Sequence, residues 1–389
     1  MRKIKKKKSE KVIVAISGGI DSSVAAALLK NSHFNIVGVF MKFWAPLSRD
    51  GLIGRWNRCC SPQAEKRARK VAQILDIPFY VLNFEKEFKE RVVNYFLEEY
   101  KKGRTPNPCI VCNKEIKFGL LLEKALGMGA DFVATGHYTK TNLTPKFFKS
   151  PAIASKIKKI KLLRGEDREK DQSYFLWQLN QKQLKHILFP IGNYTKKEVR
   201  NFAKKFKLPV LNVPESQEIC FIQSTVNDFL AKYLKPKPGP IVEPQRRTSS
   251  LQGRQAHYGA SKIIGQHQGL HFYTIGQRKG LGIPGGPWYV IDKDVKNNIL
   301  IVSRNEKDLE KKELIAENVN WISGEPPKLP LKVKAKIRYR HNLAIAEISR
   351  QLEDRNYIVR FAKSQRAITP GQSVVFYKGE EILGGGIIQ

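Results

Sequence analysis

Hydrophobic and polar residues alternate in two different ways along the chain. The first 210 residues contain short apolar runs that are rich in β-branched residues. These runs alternate with segments whose apolar residues recur at helical spacing. The runs predict strands at Lys11–Ile16, Asn35–Phe43, Phe79–Phe84 and Ala130–Thr135. The intervening segments predict helices at Asp21–Lys30, Ser61–Leu75 and Glu85–Lys101, and Thr195 with Glu198 forms a capping-box pattern at the head of another. Strands that alternate with helices predict βαβ units, so we expect an α/β domain with a doubly wound parallel sheet.

The pattern changes to period two from Trp288 onward. Between Leu331 and Tyr339 every second residue is apolar and the residues between them are Lys or Arg, which is typical of an antiparallel strand with one buried face. Basic stretches at 155–164 and 243–262 suit either RNA contact or simple solvation, and the second is interpreted as an inserted flexible loop. We therefore predict three domains: a catalytic domain at 1–222, a small central domain at 223–292 and a C-terminal β domain at 293–389.

Composition and charge limit the classes of protein to consider. The 389 residues are 41% hydrophobic and 27% charged, and 70 Lys and Arg against 35 Asp and Glu give a net charge of +35. Such a chain attracts polyanions, including nucleic acids. An integral membrane protein is excluded, because no run approaches the ~18 apolar residues of a spanning helix. The basic residues Met1–Lys8 have no apolar segment behind them, so no secretory signal is expected. Five cysteines do not form a disulfide scaffold, and we expect a cytoplasmic protein.

A glycine-rich loop lies between the first predicted strand and helix. Its sequence is Ser17-Gly-Gly-Ile-Asp-Ser-Ser23, and the two glycines let the backbone approach an anion at the helix N-terminus. There is no Gly-Lys-Ser/Thr, so the loop is not an ordinary P-loop. Asp21 beside a phosphate implies a bridging Mg²⁺ ion; the alternative is that Asp21 and Ser22 only cap the helix. The loop favours binding of ATP by an enzyme that releases pyrophosphate.

Two further segments contain cysteines that could carry chemistry. In the segment Gly103–Phe118, Cys109 and Cys112 have C-x-x-C spacing. The prolines at 106 and 108 predict that a helix starts only near Asn113, which would place Cys112 close to a helix N-terminus where its thiol pKa is lowered. A zinc half-site, a redox pair and two buried thiols are the alternatives. Cys220 becomes a candidate reactive residue only because Cys112 is also present.

These motifs together resemble the bacterial-type tRNA-specific 2-thiouridylase family, which thiolates the wobble uridine of certain anticodons. The resemblance covers nearly the whole chain. It rests on SGGIDSS at 17–23, Phe40–Lys42, GRTPNP at 103–108, CNKEIKF at 112–118, Ala134–Tyr138, Leu163–Asp167, Lys170–Leu176, Ile219–Ile222, Gly265–Gly269, Thr274–Gly282, Trp288–Asp294 and Thr369–Ser373. It implies a PP-loop, HUP-like ATP-pyrophosphatase domain, a small central domain and a C-terminal antiparallel β-barrel-like domain.

The resemblance also implies roles for individual residues. Cys112 would be the nucleophile and Cys220 would carry a persulfide. ATP would be bound by Ala15, Ile16, Ser17, Gly18, Gly19, Ile20, Asp21, Ser22, Met41 and Gly136. The target base would meet Asn107, Pro108 and Cys109, and the rest of the tRNA would meet His137, Asp171, Gln172, Ser173, Arg338, Tyr339 and Gln372. The reaction would adenylate the C2 oxygen of uridine, replace it with sulfur, and release AMP and pyrophosphate. A sulfur-donor protein is the expected second partner, and a monomer is expected.

One position departs from the family pattern. Most members carry Asp where this chain has Cys109, and a neutral thiol cannot inherit the role of that carboxylate. Cys109, Cys112 and Cys220 could instead hold a 4Fe-4S cluster, as three cysteines do in related tRNA thiolases. A persulfide relay and a cluster-bound sulfide therefore both remain open. Outside the family, an AMP-forming ligase or amidotransferase shares the loop, and a non-enzymatic basic RNA-binding protein is the third alternative.

Overall fold

The computed structural model describes residues 9–46, 60–143, 159–214, 218–244, 261–352 and 355–389. The inserted loop predicted at 243–262 lies outside these residues except at its two ends, and so does the first part of the basic stretch at 155–164. In the parts of the chain that the structure covers, none of the helices is long and apolar enough to cross a membrane.

The N-terminal part of the chain is built on a parallel sheet, as predicted. The first seven strands are β1 (Lys11–Ala15), β2 (Asn35–Lys42), β3 (Phe79–Asn83), β4 (Phe132–Ala134), β5 (Thr139–Thr141), β6 (Leu162–Arg164) and β7 (Ile187–Leu188). Among the described residues, five of them form this sheet in the order β3-β2-β1-β4-β7. Residues 12–14 of β1 are fully buried, because a central parallel strand is covered on both faces. The strand order reverses direction between β1 and β4, the place where α/β sheets bind ligands.

Helices follow these strands, and the three segments predicted with both bounds, 21–30, 61–75 and 85–101, begin and end within one residue of those bounds. They are α1 (Ile20–Asn31), α2 (Pro62–Ile74), α3 (Glu85–Phe88), α4 (Asn94–Lys101), α5 (Pro108–Val111), α6 (Leu121–Gly127), α7 (Gln181–Leu184), α8 (Lys196–Lys205) and α9 (Val226–Tyr233). π-helical segments join α3 to α4 (Lys89–Val93) and α5 to α6 (Cys112–Leu120). Ser61 caps α2 by accepting a hydrogen bond from the Ala64 amide at 3.1 Å. The capping box of Thr195 and Glu198 at α8 is confirmed.

A small central sheet follows α9. Its strands are β8 (Gly239–Pro244), β9 (Ser261–His267), β10 (Tyr289–Asp294) and β11 (Ile299–Ser303). Within the described ranges the order is β10-β11-β8-β9. The central sheet therefore extends past residue 292, where the central domain was predicted to end.

The C-terminal part is a closed antiparallel barrel, in agreement with the predicted fold class. Its strands are β12 (Glu310–Trp321), β13 (Leu331–Lys336), β14 (Ala344–Gln351), β15 (Tyr357–Arg366), β16 (Ser373–Lys378) and β17 (Glu381–Ile388). They follow one another in the order β12-β15-β14-β13-β16-β17, and β12 also pairs with β17. In β13 the apolar Val333 and Ala335 are buried while Lys332 and Lys334 are exposed, which confirms the predicted alternation.

The N-terminal part and the barrel are joined by a hairpin that the hydrophobic pattern did not predict. β5 pairs with β6, and β6 continues the barrel sheet by pairing Leu162 with Ile382 of β17. The contact is reinforced by the 3₁₀ turn at Ser173–Leu176, where the Tyr174 hydroxyl donates a hydrogen bond to the Ser373 carbonyl at 2.8 Å. Buried aromatic rings fill this junction, including Trp177 and Tyr377. The hairpin therefore places the carboxyl edge of the parallel sheet next to the barrel.

Candidate active site

The glycine-rich loop after β1 presents backbone N–H groups at the start of α1. The N-cap residue of α1 is Gly19, which has no side chain to occupy these groups, so the alternative in which Asp21 and Ser22 cap the helix is wrong. The Ser22 hydroxyl instead accepts a hydrogen bond from the Ser17 amide and lies 3.1 Å from the Ser17 hydroxyl. Free N–H groups at a helix N-terminus favour the binding of an anion such as phosphate.

Two glycines allow other backbone segments to press against this loop. Gly18 has φ +76°, and a Cβ there would lie 2.2 Å from the Ala64 carbonyl oxygen of α2. A Cβ on Gly136, just after β4, would lie 2.6 Å from the Ser22 amide nitrogen. Only glycine fits at either place. Gly136 and the half-buried Met41 at the end of β2, both predicted to line the adenosine site, thus lie at the same edge of the sheet as the loop.

Asp21 is held by two residues that the sequence analysis missed. The Lys196 amine lies 2.8 and 2.9 Å from its carboxylate oxygens, and the Tyr138 hydroxyl donates a hydrogen bond to it at 2.7 Å. The Lys196 side chain is largely buried. A positive side chain in the first turn of a helix is unfavourable next to the helix dipole. The position of Lys196 at the start of α8 was therefore the sequence signal that this lysine has a negative partner. Lys196 thus places a positive charge of the chain itself next to Asp21.

The helix that carries Cys112 begins earlier than predicted. It starts at Pro108, with Asn107 as its N-cap accepting a hydrogen bond from the Cys109 amide at 3.2 Å. Proline is well tolerated in the first turn of a helix, where its missing N–H has no partner to lose, so the predicted start near Asn113 is wrong. The thiol at the helix N-terminus is therefore the exposed Cys109, whereas Cys112 lies one turn further along and is buried. The predicted position at a helix N-terminus is therefore that of Cys109 and not of Cys112.

Cys112 and Cys220 lie in or against the same extended apolar core. Cys112 belongs to the core cluster that also contains Ala15 at the end of β1 and Ile16, which leads into the loop, and Cys220 packs against the same cluster. The segment of Cys220 is anchored by Phe221, whose buried ring packs against Phe96 and Phe229 with centroids 5.4 and 5.3 Å apart. Segments that are far apart in the sequence thus contribute to one core, which holds both thiols and the strand before the phosphate loop.

The three cysteines do not form a metal-ligand set. Among the described residues, no three side chains of His, Cys, Asp or Glu lie close enough to hold one metal ion. Cys109 is exposed, whereas Cys112 is buried in the apolar core. As placed in this structure, the described cysteines therefore do not provide the three converging thiols that a 4Fe-4S cluster would need.

The loop before Cys109 is held by all three parts of the chain. From the N-terminal part, the Glu99 carboxylate pairs with Arg104 at 2.6 Å. From the central part, the Lys293 amine donates a hydrogen bond to the Gly103 carbonyl at 2.9 Å. From the barrel, Gln372 donates through Nε2 to the Thr105 carbonyl at 2.7 Å. Gln372, a predicted tRNA contact, thus lies beside the loop predicted to touch the target base.

Lys293 is an unusual anchor because its side chain is half-buried. Burial lowers its pKa from the ordinary 10.5 to about 7, and the neighbouring Asp292 only partly opposes this shift. Lys293 in turn helps burial to lower the pKa of His271. The hydrogen bond to the loop therefore depends on a group that titrates near neutral pH.

Three predicted tRNA contacts lie in the interior. His137 is buried, its Nδ1 lies 2.8 Å from the Thr135 hydroxyl, and burial lowers its pKa well below 6.5. Asp171 accepts hydrogen bonds from Arg164 and from the Ser173 amide, and Ser173 itself is fully buried. In this conformation they stabilise the junction with the barrel, and direct contact with RNA would require the segment to move.

The remaining predicted contacts form one continuous group with that segment. Gln172 pairs with the backbone of Tyr138 through its side-chain oxygen at 3.0 Å. The Tyr339 ring lies 4.5 Å from that of Phe175, and the half-buried Arg338 donates to the Arg366 carbonyl. Tyr339 of the barrel end is thus brought to Phe175, in the segment that follows Asp171–Ser173.

Comparisons with known proteins agree with this arrangement. Family models match a tRNA methyl transferase HUP domain over residues 10–224, a tRNA methyl transferase PRC-barrel domain over 227–304 and an aminomethyltransferase beta-barrel domain over 311–388. A protein of Thermoanaerobacter sp. (strain X514) named tRNA-specific 2-thiouridylase MnmA 2 is 46% identical over 382 residues, 98% of each chain. One of Clostridioides difficile (strain 630), named tRNA-specific 2-thiouridylase MnmA, is 45% identical over 385 residues with the same coverage. This chain belongs to the tRNA-specific 2-thiouridylase family.

Membership of the thiouridylase family confirms the resemblance inferred from the motifs. The first model spans the glycine-rich loop, Cys112 and Cys220 together. The second model reaches residue 304 and so includes β11, which belongs to the central sheet in the structure as well. The three-part organisation is therefore that of the family.

Proposed function

We propose that this protein catalyses the ATP-dependent 2-thiolation of the wobble uridine of tRNA. The observation that carries the proposal is that the strand leading into the phosphate loop, through Ile16, shares one apolar core with Cys112 and Cys220. An AMP-forming ligase would need the loop but not the two thiols. The net charge of +35 favours a polyanionic substrate over a small molecule.

The first step activates the base. The C2 oxygen of uracil is a poor leaving group, so it attacks the α-phosphorus of ATP, and the bond to the β-phosphate oxygen breaks to release pyrophosphate. The N–H groups at the start of α1 and the hydroxyl groups of Ser17 and Ser22 bind the phosphates. Asp21 and these hydroxyls offer oxygen donors of the kind that Mg²⁺ prefers; when bound, Mg²⁺ would neutralise phosphate charge.

The second step transfers sulfur. The terminal sulfur of a persulfide on Cys220 attacks C2 of the adenylated base and displaces AMP. The thiolate of Cys112 then attacks the Cys220 sulfur, which leaves the transferred sulfur on the base and forms a Cys112–Cys220 disulfide. An external thiol reductant reopens the disulfide. The target base leaves its stack to reach these groups.

The remaining parts of the proposal follow from this chemistry. A sulfur-donor protein must renew the persulfide on Cys220, which is half-buried rather than enclosed. Free thiols and a tRNA substrate favour the cytoplasm. A monomeric state stays a prediction.

The test uses purified protein, ATP, a persulfide donor and an unmodified tRNA with uridine at the wobble position. We expect equal amounts of AMP and 2-thiouridine, and no AMP from the same tRNA with cytidine at that position. AMP formation that is independent of the wobble base would contradict the proposal. Iron analysis of anaerobically purified protein completes the test, because the persulfide route predicts full thiolation by iron-free protein.

A further inference from the structure

A basic side chain of α2 reaches the backbone of the glycine-rich loop. The Arg67 guanidinium donates a hydrogen bond through Nε to the Gly18 carbonyl at 3.1 Å. This contact exists because α2 packs directly on the loop, where Gly18 leaves no room for a Cβ against Ala64. A cation is thus fixed at the backbone that is expected to bind phosphate.

Most of the hydrogen-bonding capacity of Arg67 is unused. A guanidinium has five N–H donors, but within the described residues Arg67 makes one hydrogen bond, to the Gly18 carbonyl. No described carboxylate forms an ion pair with the Arg67 guanidinium. Arg69, two residues further along α2, is different. It pairs with Glu65 at 2.7 Å and lies over the Phe79 ring.

Lys196 and Arg67, the two cationic side chains near the loop, therefore differ in whether a carboxylate compensates their charge. The charge of Lys196 is compensated by Asp21, whereas that of Arg67 is not compensated by any described residue. A triphosphate bound at the loop would bring several negative charges close to this half-buried guanidinium. Arginine binds phosphate oxygens well, because its terminal amines can donate two parallel hydrogen bonds.

We propose that Arg67 is a further ATP-binding residue, which presents its terminal amines to the β- and γ-phosphates. This inference rests on the proposed function, because it assumes ATP at the loop. As the bond between the α-phosphorus and its bridging oxygen breaks, the electron pair stays on pyrophosphate, and Arg67 stabilises that charge without transferring a proton. Its Nε contact with Gly18 keeps the guanidinium and the loop in a fixed relation.

The experiment compares Arg67→Gln with Arg69→Gln, a matched control on the same helix. Binding of ATP and of inorganic pyrophosphate is measured by calorimetry, and kcat and KM for ATP are measured by AMP formation with tRNA. We expect Arg67→Gln to weaken both bindings about 10- to 100-fold, as for loss of a charge-assisted hydrogen bond. Arg69→Gln should stay within about twofold, as is usual for a surface ion pair. Arg67→Lys should recover part of the binding, because it keeps the charge.

Two outcomes would overturn the inference. One is wild-type affinity for pyrophosphate in Arg67→Gln. The other is equal loss in Arg67→Lys and Arg67→Gln together with a lowered melting temperature, which would mean that Arg67 only supports the loop. Failure of the proposed function would give a different result, because wild-type protein would then form no AMP with tRNA. Calorimetry would still measure whether Arg67→Gln weakens the binding of ATP and pyrophosphate.

Discussion

The Lys196 amine and the Asp21 carboxylate form an ion pair of 2.8 Å across 175 residues of sequence. The pair joins the first turn of α8 to the first turn of α1, and the Tyr138 hydroxyl contacts the same carboxylate. The ring of Tyr138 lies under the amine as well, with Nζ 5.7 Å from its centroid. A negative side chain at a phosphate site is thereby neutralised before the nucleotide binds.

The first prediction removes this neutralisation. In Lys196→Met the Asp21 carboxylate would face the phosphates of ATP uncompensated, so we expect kcat/KM for ATP to fall about 10- to 100-fold. The exposed neighbour Lys197 provides the control Lys197→Met, which should behave as wild type. Steady-state AMP formation checks both variants, and equal kinetics for the two would show that the ion pair has no part in ATP use.

The second prediction concerns the barrel loop that holds the residues before Cys109. Gly371 has φ +89°, and a Cβ there would lie 2.9 Å from the Thr105 amide nitrogen. We expect Gly371→Ala to displace the Gly103–Pro108 loop and to lower thiolation at least about tenfold, since small misplacements near reacting groups are costly. Gly379→Ala adds the same backbone strain, at φ +58°, in open space. If Gly371→Ala and Gly379→Ala lose thiolation activity equally, backbone strain rather than the contact with Thr105 explains the loss, and the prediction is contradicted.

The third prediction is a pH dependence of stability that arises from Lys293. Its pKa is about 7 in the folded protein and near 10.4 in the unfolded chain, so the unfolded chain binds more protons between these values. The free energy of unfolding should therefore rise with pH through this window, by about 2 kcal/mol between about pH 6 and 9. Lys293→Met should lack this rise. Denaturant unfolding of both proteins at both pH values measures this rise; the groups that interact with the Lys293 amine are Asp292 and His271. Parallel pH curves for the two proteins would exclude Lys293 as the source of the rise.

Local signals were enough to predict most of the N-terminal fold. The Ser61 cap and the box of Thr195 and Glu198 give the starts of α2 and α8 correctly, because capping depends on residues next to one another. The loop after β1 was likewise predicted from adjacent residues. The start of the helix at Pro108 was missed because proline was interpreted only as a helix breaker, although its first-turn position is favourable.

Features that depend on distant partners could not be predicted in this way. β5 and β6 have three residues each, too few for a periodic pattern, and the pairing of β6 with β17 is decided by packing. Burial of His137 and Ser173 likewise follows from the junction with the barrel rather than from their own neighbours. Lys196 and Arg67 became candidates only when the fold placed them at the loop.

The most direct test of the central claim is the 2-thiouridine content of tRNA made with Cys220→Ser, measured by mass spectrometry beside tRNA affinity. We predict no 2-thiouridine and unchanged tRNA affinity, because the variant lacks only the sulfur that carries the persulfide. Cys60→Ser is the matched control, since Cys60 lies in the same core and its thiol donates a hydrogen bond to the Phe43 carbonyl at 3.5 Å; it should thiolate normally. Normal 2-thiouridine in Cys220→Ser would contradict the account.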